Sequence, residues 1–398
     1  MADAEPDSAD LHHLPYGRVR AGERTFAAVR VGGSALDLAR FFDGTESGSL
    51  FAGGRLEPFL AAGRARWREV RAQLLDAAHG GPGRSRFAAA LVPLAEVEPR
   101  LPFAVADYVD FYASRQHAEN VGRIFRPGGE PLTPNWEHLP IGYHGRAGTV
   151  VVSGTPVRRP EGQSRDADGT VRFGPSRRLD LEAEVGFVVG AGSELGTPVP
   201  VDAFREHVFG VVLLNDWSAR DLQAWEYVPL GPFLGKSFAT SIAAWITPLD
   251  ALDDAWVPPP PRTRAVLPYL DDAATPAGLD ITLGVEINGR VVSRPPFAGL
   301  YWSSAQMLAH LTVNGASLRT GDLYGSGTVS GPRREQYGSL LELTANGTDP
   351  VDTGAGPRGF LADGDVVVLR ASAPSPAGRL QLAEVSGRIV GAAEPDRG

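Results

Sequence analysis

The sequence has 398 residues, of which 43% are hydrophobic and 21% charged, and its formal net charge is −9. This balance is ordinary for a globular protein, and it argues against a nucleic-acid partner, because nucleic-acid-binding surfaces are basic. The absence of cysteine excludes disulfides, thiolate nucleophiles and cysteine-bound metals from this sequence. A metal site would therefore use oxygen or imidazole ligands.

Residues 1–10 are polar and acidic, and we expect them to be disordered. They lack the basic and apolar segments of a secretory signal. No apolar run in the sequence approaches the ~18 residues that a membrane helix needs. We therefore expect a cytoplasmic protein that binds neither membranes nor nucleic acid.

The first hundred residues have the features of a small domain. Short segments of strand-forming residues, separated by turns, predict strands at 17–20, 25–31 and 34–37. A helix is predicted at 57–78, because its apolar residues, such as Trp67 and Leu74, recur at helical spacing. Several prolines follow, and we place a domain boundary near residue 103, which divides the chain into 1–103 and 104–398.

Beyond residue 104 the sequence is rich in predicted strands and poor in long helices. Apolar and alternating runs predict strands at 148–153, 179–190, 207–215, 280–287, 365–370 and 384–391. The pair Asn288–Gly289 between two such runs is a strong hairpin signal, and short helices are predicted at 217–225 and 302–311. With 48 glycines and 33 prolines, this pattern favours a β-rich α+β fold, a mixed β-roll or sandwich, over a doubly wound sheet.

The segment 110–117, with the sequence DFYASRQH, groups several polar functional side chains. Asp110, a common ligand of hard metal ions, lies seven residues before His117, a residue that often acts as a general base. Tyr112 and Arg115 lie between them. A metal-assisted active site on a loop would need such residues, but a polar surface turn with one incidental histidine would also explain them. The segment alone leaves both interpretations open.

Residues 179–187 alternate between apolar and acidic side chains. In a strand, Asp180, Glu182 and Glu184 would share one face, because strand side chains repeat every two residues. A half-buried strand with a solvated acidic face is one interpretation. However, neighbouring like charges repel, and a bound cation would relieve this repulsion. Glu182 and Glu184 would then be paired oxygen ligands for Mg²⁺, Ca²⁺ or Mn²⁺.

Two further groups of polar residues follow apolar or glycine-rich segments. Asp216 lies at the end of an apolar strand. Arg220 and Gln223 would face the same way on the helix that follows, although a helix N-cap with a surface arginine is the alternative. Lys236 is the only lysine in the sequence and ends a loop of glycines and prolines. A retained lysine indicates a task that arginine cannot perform, unless it is incidental in a buried connection.

These groups belong to a longer series of motifs, which are DFYASRQHA (110–118), PNW (134–136), HLPIGYHGR (138–146), LDLEAE (179–184), NDWSARD (215–221), WEYVPLGPFLGKSF (225–238) and SGTVSGP (326–332). In this order they resemble the fumarylacetoacetate hydrolase family, and the resemblance extends over nearly the whole chain. It implies a small SH3-like N-terminal β-barrel domain, a larger mixed β-roll domain that carries the active site, and a homodimer.

The same resemblance implies roles for individual residues. The ligands of a catalytic Ca²⁺ or Mg²⁺, with Mn²⁺ as an alternative, would be Asp110, Glu182, Glu184 and Asp216. A second, structural cation, expected to be Mg²⁺, would lie near Asp216, Lys236 and Thr240. The general base would be His117, oriented by Glu342, and the oxyanion would be stabilised by Arg220, Gln223 and Lys236. Substrate contacts would come from Tyr112, Arg126, Tyr143, Arg220, Gln223, Tyr227 and Thr328.

The implied activity is hydrolysis of a carbon–carbon bond in a 1,3-diketo acid. In this family, 4-fumarylacetoacetate and water give fumarate and acetoacetate, the last step of tyrosine and phenylalanine catabolism. Such a bond breaks only if the departing carbon leaves as an enolate, whose charge a divalent cation can stabilise. The alternatives are a related hydrolase or decarboxylase for another acylpyruvate or diketone, including a biosynthetic one, and a non-catalytic binding protein. We expect Arg115 to hold its loop in shape rather than to act in catalysis.

Overall fold

The computed structural model describes residues 8–262, 264–274 and 277–392. Of the segment predicted to be disordered, residues 1–7 lie outside these ranges, whereas helix α1 (Ser8–His13) already begins at residue 8. Among the described residues, no helix combines the length and the apolar character that crossing a bilayer requires.

The N-terminal region combines short strands with helices. Its strands are β1 (Tyr16–Ala21), β2 (Arg24–Val31), β3 (Ser34–Asp37), β4 (Leu91–Pro93) and β5 (Glu98–Arg100). Its helices after α1 are α2 (Leu38–Phe41), α3 (Glu57–Ala61), α4 (Gly63–Ala78) and α5 (Arg84–Ala89). Strands β1, β2 and β3 confirm the strands predicted at 17–20, 25–31 and 34–37.

The helix predicted at 57–78 is present but broken into α3 and α4. Gly63, the first residue of α4, has a φ of 80°, a left-handed conformation that glycine adopts readily and that interrupts the right-handed path from α3 to α4. Helix α4 buries Trp67, Val70 and Leu74 on one face, as their spacing predicted. The apolar period therefore identified the helix, whereas the break depends on the conformation of a single glycine.

The larger region is built mainly from strands. They are β6 (Tyr108–Phe111), β7 (Gly142–His144), β8 (Val150–Val152), β9 (Val157–Arg158), β10 (Glu161–Arg165), β11 (Val171–Pro175), β12 (Leu179–Asp180), β13 (Ala183–Val189), β14 (Val208–Asp216), β15 (Ser218–Ala219), β16 (Thr240–Ile242), β17 (Trp245–Pro248), β18 (Trp256–Val257), β19 (Gly278–Leu279), β20 (Thr282–Ile287), β21 (Arg290–Ser293), β22 (Leu323–Gly325), β23 (Val351–Asp352), β24 (Pro357–Arg358), β25 (Val366–Ser375) and β26 (Gly378–Val390). The helices are α6 (Arg115–Phe125), α7 (Phe204–His207), α8 (Arg220–Glu226), α9 (Ser304–Thr312) and α10 (Leu340–Leu343). This content confirms the β-rich α+β class.

One mixed sheet runs through both regions, in the order β4-β3-β2-β1-β17-β14-β13-β22-β6-β7, with β5, β8 and β16 joined to it. Strand β1 pairs with β17, with Tyr16 opposite Ile246 and Gly17 opposite Trp245. Gly17 permits this approach, because a Cβ there would lie 2.5 Å from the Trp245 ring. The sheet thus crosses the predicted boundary near residue 103, and both that boundary and the SH3-like barrel stay predictions.

A second sheet has the order β21-β20-β25-β26-β9, and its strand β26 contacts β14 of the first sheet. The predicted hairpin at Asn288–Gly289 joins β20 to β21. Asn288 and Gly289 have φ values of 50° and 82°, the left-handed pair that a type I′ turn requires. The hairpin prediction is therefore confirmed.

The strand predicted at 179–190 is interrupted. Strand β12 ends at Asp180 and β13 begins at Ala183, so Asp180 turns away from the site that Glu182 and Glu184 approach. All three acidic residues are at most 4% exposed, and the interpretation as a solvated acidic face is wrong. The physical reason is that β13 lies between β14 and β22 and is buried along its whole length.

Candidate active site

Four acidic side chains meet in the centre of the first sheet. Asp216 is the last residue of β14, Glu184 lies near the start of β13, and Asp110 lies in β6. Glu182 directly precedes β13 and bridges to Ser339. Because β14, β13, β22 and β6 are neighbours, one carboxylate oxygen from each residue lies within 4.8 Å of the others. The structure therefore brings the predicted metal ligands together.

The acidic cluster suits a hard divalent cation, which prefers oxygen ligands. Its members are at most 4% exposed, and among the described residues Asp110 Oδ1 and Glu184 Oε1 have no hydrogen-bond partner. Burial and the neighbouring carboxylates raise the pKa of Asp110 and of Glu184 well above the ordinary carboxyl range. Buried, unpaired and mutually repelling oxygens are costly unless a cation compensates them.

Gly325 leaves open the space between two of these carboxylates. It lies in β22, opposite Gly186 of β13 and Asp110 of β6. A Cβ at this position would lie 2.7 Å from Glu184 Oε2 and 2.8 Å from Asp110 Oδ1. A larger residue would push the carboxylates apart, so the glycine is part of the geometry of the cluster.

Two buried cations face the carboxylates. The Lys236 ammonium lies 2.5 Å from Glu182 Oε2 and 2.8 Å from Asp216 Oδ2, and the Arg220 guanidinium lies 2.7 Å from Glu182 Oε1. Burial opposes ionisation of Glu182, but Lys236 and Arg220 outweigh it and lower the pKa of Glu182. Burial likewise opposes the charge on Lys236, but Asp216 and Glu182 raise its pKa. When all four carboxyl groups are ionised, two cations leave an excess of negative charge, which a divalent cation would balance.

Thr240 and Tyr143 complete the surroundings of Asp216. Thr240 Oγ1 donates to Asp216 Oδ1 over 3.3 Å, and the Tyr143 hydroxyl donates to Asp216 Oδ2 over 3.0 Å. The same hydroxyl lies 3.3 Å from Asp110 Oδ2. Tyr143, predicted as a substrate contact, thus also connects two predicted metal ligands. Asp216, Lys236 and Thr240, predicted for a second cation, lie side by side.

His117 and Glu342, which are distant in sequence, form a buried pair. Ser114 caps α6 by accepting a hydrogen bond from the His117 N–H, and His117 Nδ1 lies 2.7 Å from Glu342 Oε2. Burial opposes ionisation of Glu342, but His117 and the hydrogen bonds from Asn120 and Ser339 lower the pKa of Glu342. A carboxylate beside Nδ1 holds the proton there, which leaves Nε2 as the basic nitrogen.

A cavity of about 390 Å³ is bordered by Asp110 and Glu182 of the acidic cluster and by His117. Its lining includes every predicted substrate contact, namely Tyr112, Arg126, Tyr143, Arg220, Gln223, Tyr227 and Thr328. The remaining wall is mostly apolar and includes Val121, Phe125, Ile141, Leu230 and Pro232. The structure therefore places the predicted substrate-binding residues, with His117 and Lys236, around one space, whereas Glu342 lies behind His117 and outside the lining.

The apolar wall of the cavity and the residues that bond to Glu342 were not predicted from the sequence. Val121 and Phe125 follow His117 at intervals of four residues in α6, so helical spacing could have indicated them. Asn120 and Ser330 donate to Glu342 over 2.9 Å and 3.0 Å. No local pattern indicates Asn120 or Ser330, because their partner lies in a distant segment.

Arg115 and Arg126 have different surroundings, although both lie in the same helical segment. Arg115 forms ion pairs with Glu119 at 2.9 Å and with Glu137 at 2.8 Å, so it links α6 to the segment that contains Glu137, and its role in holding the local structure stays a prediction. Arg126 donates to Pro131 O over 2.5 Å and has no carboxylate partner among the described residues. Its charge therefore remains available at the cavity.

Family models match nearly the whole chain. The model described as "Fumarylacetoacetate (FAA) hydrolase C-terminal" matches residues 107–388, and that described as "Fumarylacetoacetase N-terminal" matches residues 12–102. The chain belongs to the fumarylacetoacetate hydrolase family. Within this family, the fumarylacetoacetase of Homo sapiens is 43% identical over 415 residues, covering 98% of each chain. That of Arabidopsis thaliana is 42% identical over 401 residues, covering 96% of this chain and 95% of its own.

Solved structures share the fold over almost the full length. The fumarylacetoacetate hydrolase from the psychrophilic Exiguobacterium antarcticum is similar with a TM-score of 0.56 at 16% identity, covering 95% of this chain and 99% of its own. The maleylpyruvate hydrolase from Sphingobium is similar with a TM-score of 0.54 at 15% identity, covering 95% of this chain and 100% of its own. At these identities the similarity concerns the fold of the family alone.

Gly325→Ala should weaken divalent metal binding, because the added Cβ would displace Asp110 and Glu184. We expect a loss of about tenfold, equivalent to about 1.4 kcal/mol, measured by calorimetric titration with Mg²⁺ and Ca²⁺. Gly284→Ala is the matched control, because Gly284 also lies in a strand and a Cβ there meets nothing within 4 Å. Equal Kd values for Gly325→Ala and the unaltered chain would contradict a metal site between these carboxylates.

Proposed function

We propose that this chain is a metal-dependent hydrolase that converts 4-fumarylacetoacetate and water into fumarate and acetoacetate, the last step of tyrosine and phenylalanine catabolism. The observation that carries the proposal is that His117, paired with Glu342, borders the same cavity as Asp110 and Glu182 of the acidic cluster. The fumarylacetoacetases of Homo sapiens and Arabidopsis thaliana, at 43% and 42% identity over nearly the full chain, support the same activity.

We assign the acidic cluster to a catalytic Ca²⁺ or Mg²⁺, with Mn²⁺ as the alternative, because all three cations accept carboxylate oxygens. When bound, such a cation supplies Lewis-acid stabilisation of negative charge on the ketone oxygens of the substrate. A second, structural Mg²⁺ would be held beside Asp216, Lys236 and Thr240. The Thr240 hydroxyl lies 3.3 Å from Asp216 Oδ1, so two oxygen groups of this second assignment are close together.

His117 acts as the general base of the proposed reaction. Nε2 takes a proton from water, and the water oxygen adds to the ketone carbon of the fumaryl group. Glu342 keeps the ring oriented and stabilises the imidazolium that forms. The bond between this ketone carbon and the carbon between the two ketones then breaks, and its electron pair leaves with the latter carbon as an enolate. The enolate carbon takes up a proton to give acetoacetate, while the ketone carbon, which now carries the water oxygen, becomes a carboxylate of fumarate.

Arg220, Gln223 and Lys236 are the donors for the oxyanion. Arg220 Nη1 donates to Gln223 Oε1 over 3.1 Å, which leaves the Gln223 amide N–H groups for the substrate. Lys236 uses two of its three N–H groups on Glu182 and Asp216, so the third remains. Removing one such donor typically costs about 3 kcal/mol of barrier.

Binding of the substrate is assigned to the rest of the cavity. The guanidinium of Arg126 can pair with a terminal carboxylate of the substrate, and Tyr227 also lines the cavity. Thr328 Oγ1 is buried and has no partner among the described residues, so it can bond to a substrate oxygen. The Tyr112 ring meets the His117 ring edge-on, with centroids 5.3 Å apart, and thereby limits where the substrate can lie beside the base.

The assay with fumarylacetoacetate tests the proposal directly. Loss of the diketone absorbance should be rapid with Ca²⁺ or Mg²⁺ present, abolished by EDTA, and restored by adding the cation back. An acylpyruvate serves as the comparison substrate. A higher kcat/KM for the acylpyruvate would favour the related hydrolase, and no turnover of either substrate with metal present would favour a binding protein.

Two variants should separate the base from the metal site. His117→Ala should lower kcat by about 10²–10⁴-fold, the usual contribution of a general base, while metal affinity is unchanged. Glu184→Ala should instead weaken metal binding, because it removes one carboxylate of the cluster. If His117→Ala has the same kcat as the unaltered chain, His117 is not the base. An unaltered calorimetric titration of Glu184→Ala would exclude the four-carboxylate site.

We also propose a homodimer, as the family resemblance implies. Several apolar side chains beside the cavity are exposed, including Val228 at 67%, Leu230 at 97% and Phe233 at 63%. Contiguous exposed apolar surface marks interaction sites. Light scattering after size-exclusion chromatography should give the mass of two chains. The mass of a single chain across the working concentration range would refute the dimer. A cytoplasmic location stays a prediction.

A further inference from the structure

Asp180 is a buried acidic residue that the reaction above does not use. It ends β12 and is 0% exposed. Its carboxylate accepts four hydrogen bonds, over 2.7 to 3.0 Å, from Leu181 N, Arg220 Nε, Leu340 N and Leu341 N. Burial raises the pKa of Asp180 above the ordinary carboxyl range, and Arg220 offsets only part of that rise. All four neighbours are donors, so each of these contacts depends on an acceptor oxygen of Asp180.

Arg220 is one end of this hydrogen-bond network. Its Nε donates to Asp180 Oδ2 over 2.9 Å, Nη1 donates to Gln223 Oε1, and Nη2 lies 2.7 Å from Glu182 Oε1. The guanidinium is planar, so fixing Nε also fixes the directions of both terminal nitrogens. Asp180 therefore sets the orientation of the cation that faces the acidic cluster and the Gln223 side chain.

Helix α10 is the other end of the network. Leu340 and Leu341 begin this helix, where backbone N–H groups have no partner inside the helix, and Asp180 accepts from both. Glu342, the next residue, carries the carboxylate that contacts His117. A single helical turn has little stability of its own. The position of Glu342 therefore depends on this anchor and on the Ser339 N-cap.

We propose that Asp180 is a positioning residue that fixes Arg220 and Glu342 relative to each other, and thereby aligns the metal-facing side of the site with the proton-transfer side. Asp180 itself is absent from the lining of the cavity, so it acts through these two residues. The inference rests on the proposed function, because its main readout is turnover.

Asp180→Asn keeps the shape of the side chain but replaces one acceptor oxygen with an NH₂ donor. The new NH₂ group would then face at least one of the N–H groups that Asp180 accepts from. Either Arg220 or α10 would therefore lose its hydrogen bond to residue 180. We expect kcat to fall by about 100-fold, the cost of displacing catalytic groups by about 1 Å. Metal affinity should change much less than kcat, because all four carboxylates of the cluster are retained.

Asp37→Asn is the matched control for a purely structural effect. Asp37 is also 0% exposed, caps the four-residue helix α2 by accepting from Arg40 N, and pairs with Arg24 at 2.5 Å. It lies in the N-terminal region, outside the cavity lining. We expect Asp37→Asn to lower Tm as Asp180→Asn does but to keep kcat. If both variants lower Tm and both keep kcat, the positioning role is refuted.

A double-mutant cycle tests whether Asp180 acts through its two partners. In the Arg220→Gln and the Glu342→Gln backgrounds, Asp180→Asn should lower kcat by a smaller factor than in the unaltered chain, because residues in one network are not additive. If Asp180→Asn lowers kcat by the same factor in both backgrounds as in the unaltered chain, Asp180 does not act through Arg220 and Glu342, and the inference is overturned.

A measurement without substrate separates this inference from the proposed function. The NMR signal of the His117 Nδ1 proton, which lies in the 2.7 Å contact with Glu342, should shift or broaden in Asp180→Asn and stay in place in Asp37→Asn. Should the unaltered chain fail to hydrolyse fumarylacetoacetate, the proposed function falls while this signal still decides the inference. An unshifted signal overturns it. If Asp180→Asn does not fold, Asp180→Ser, which removes the carboxylate without adding an NH₂ group, replaces it.

Discussion

The mutual repulsion of four buried carboxylates is the constraint on which the rest of the structure depends. One oxygen from each lies within 4.8 Å of the others, and a buried setting strengthens the repulsion between them. The chain holds them together by placing them in or beside β14, β13 and β6, whose positions the sheet fixes. Lys236 and Arg220 offset part of the charge, and Gly325 leaves the space that the oxygens occupy. The charge that remains explains why the site suits a divalent cation.

The two cations of the site are not interchangeable. The sequence contains a single lysine, and its ammonium lies between Glu182 and Asp216, at 2.5 Å and 2.8 Å. A compact ammonium can sit between two carboxylates, whereas a planar guanidinium needs a broader space. Arg220 uses separate nitrogens for Asp180, Glu182 and Gln223, which the single nitrogen of a lysine could not reach in those directions. The composition of the chain and the geometry of the site therefore agree.

Local patterns predicted the elements of the fold, whereas contacts between distant segments could not be predicted from them. Helical spacing and turn chemistry predicted α4 and the hairpin at Asn288–Gly289, because these depend on neighbours in sequence. The interruption after Asp180 depends on tertiary surroundings and was missed, as was the break at Gly63, which depends on the positive φ of that glycine. The pair His117–Glu342 came from the family resemblance alone. The two residues are 225 positions apart, and no periodicity relates them.

Hydrogen-bond saturation distinguishes the positioning carboxylates Glu342 and Asp180 from Asp110 and Glu184 of the acidic cluster. Glu342 accepts from His117, Asn120, Ser330 and Ser339, and Asp180 likewise has four donors. Such carboxylates cannot rotate without losing bonds, so they orient their partners. Asp110 and Glu184 are the opposite case, since each keeps an oxygen without a partner among the described residues. In the sequence both kinds are acidic residues in similar motifs, and the donors that the fold brings to each oxygen separate Asp180 and Glu342 from Asp110 and Glu184. The other two predicted ligands, Glu182 and Asp216, have intermediate surroundings, because both already contact Lys236.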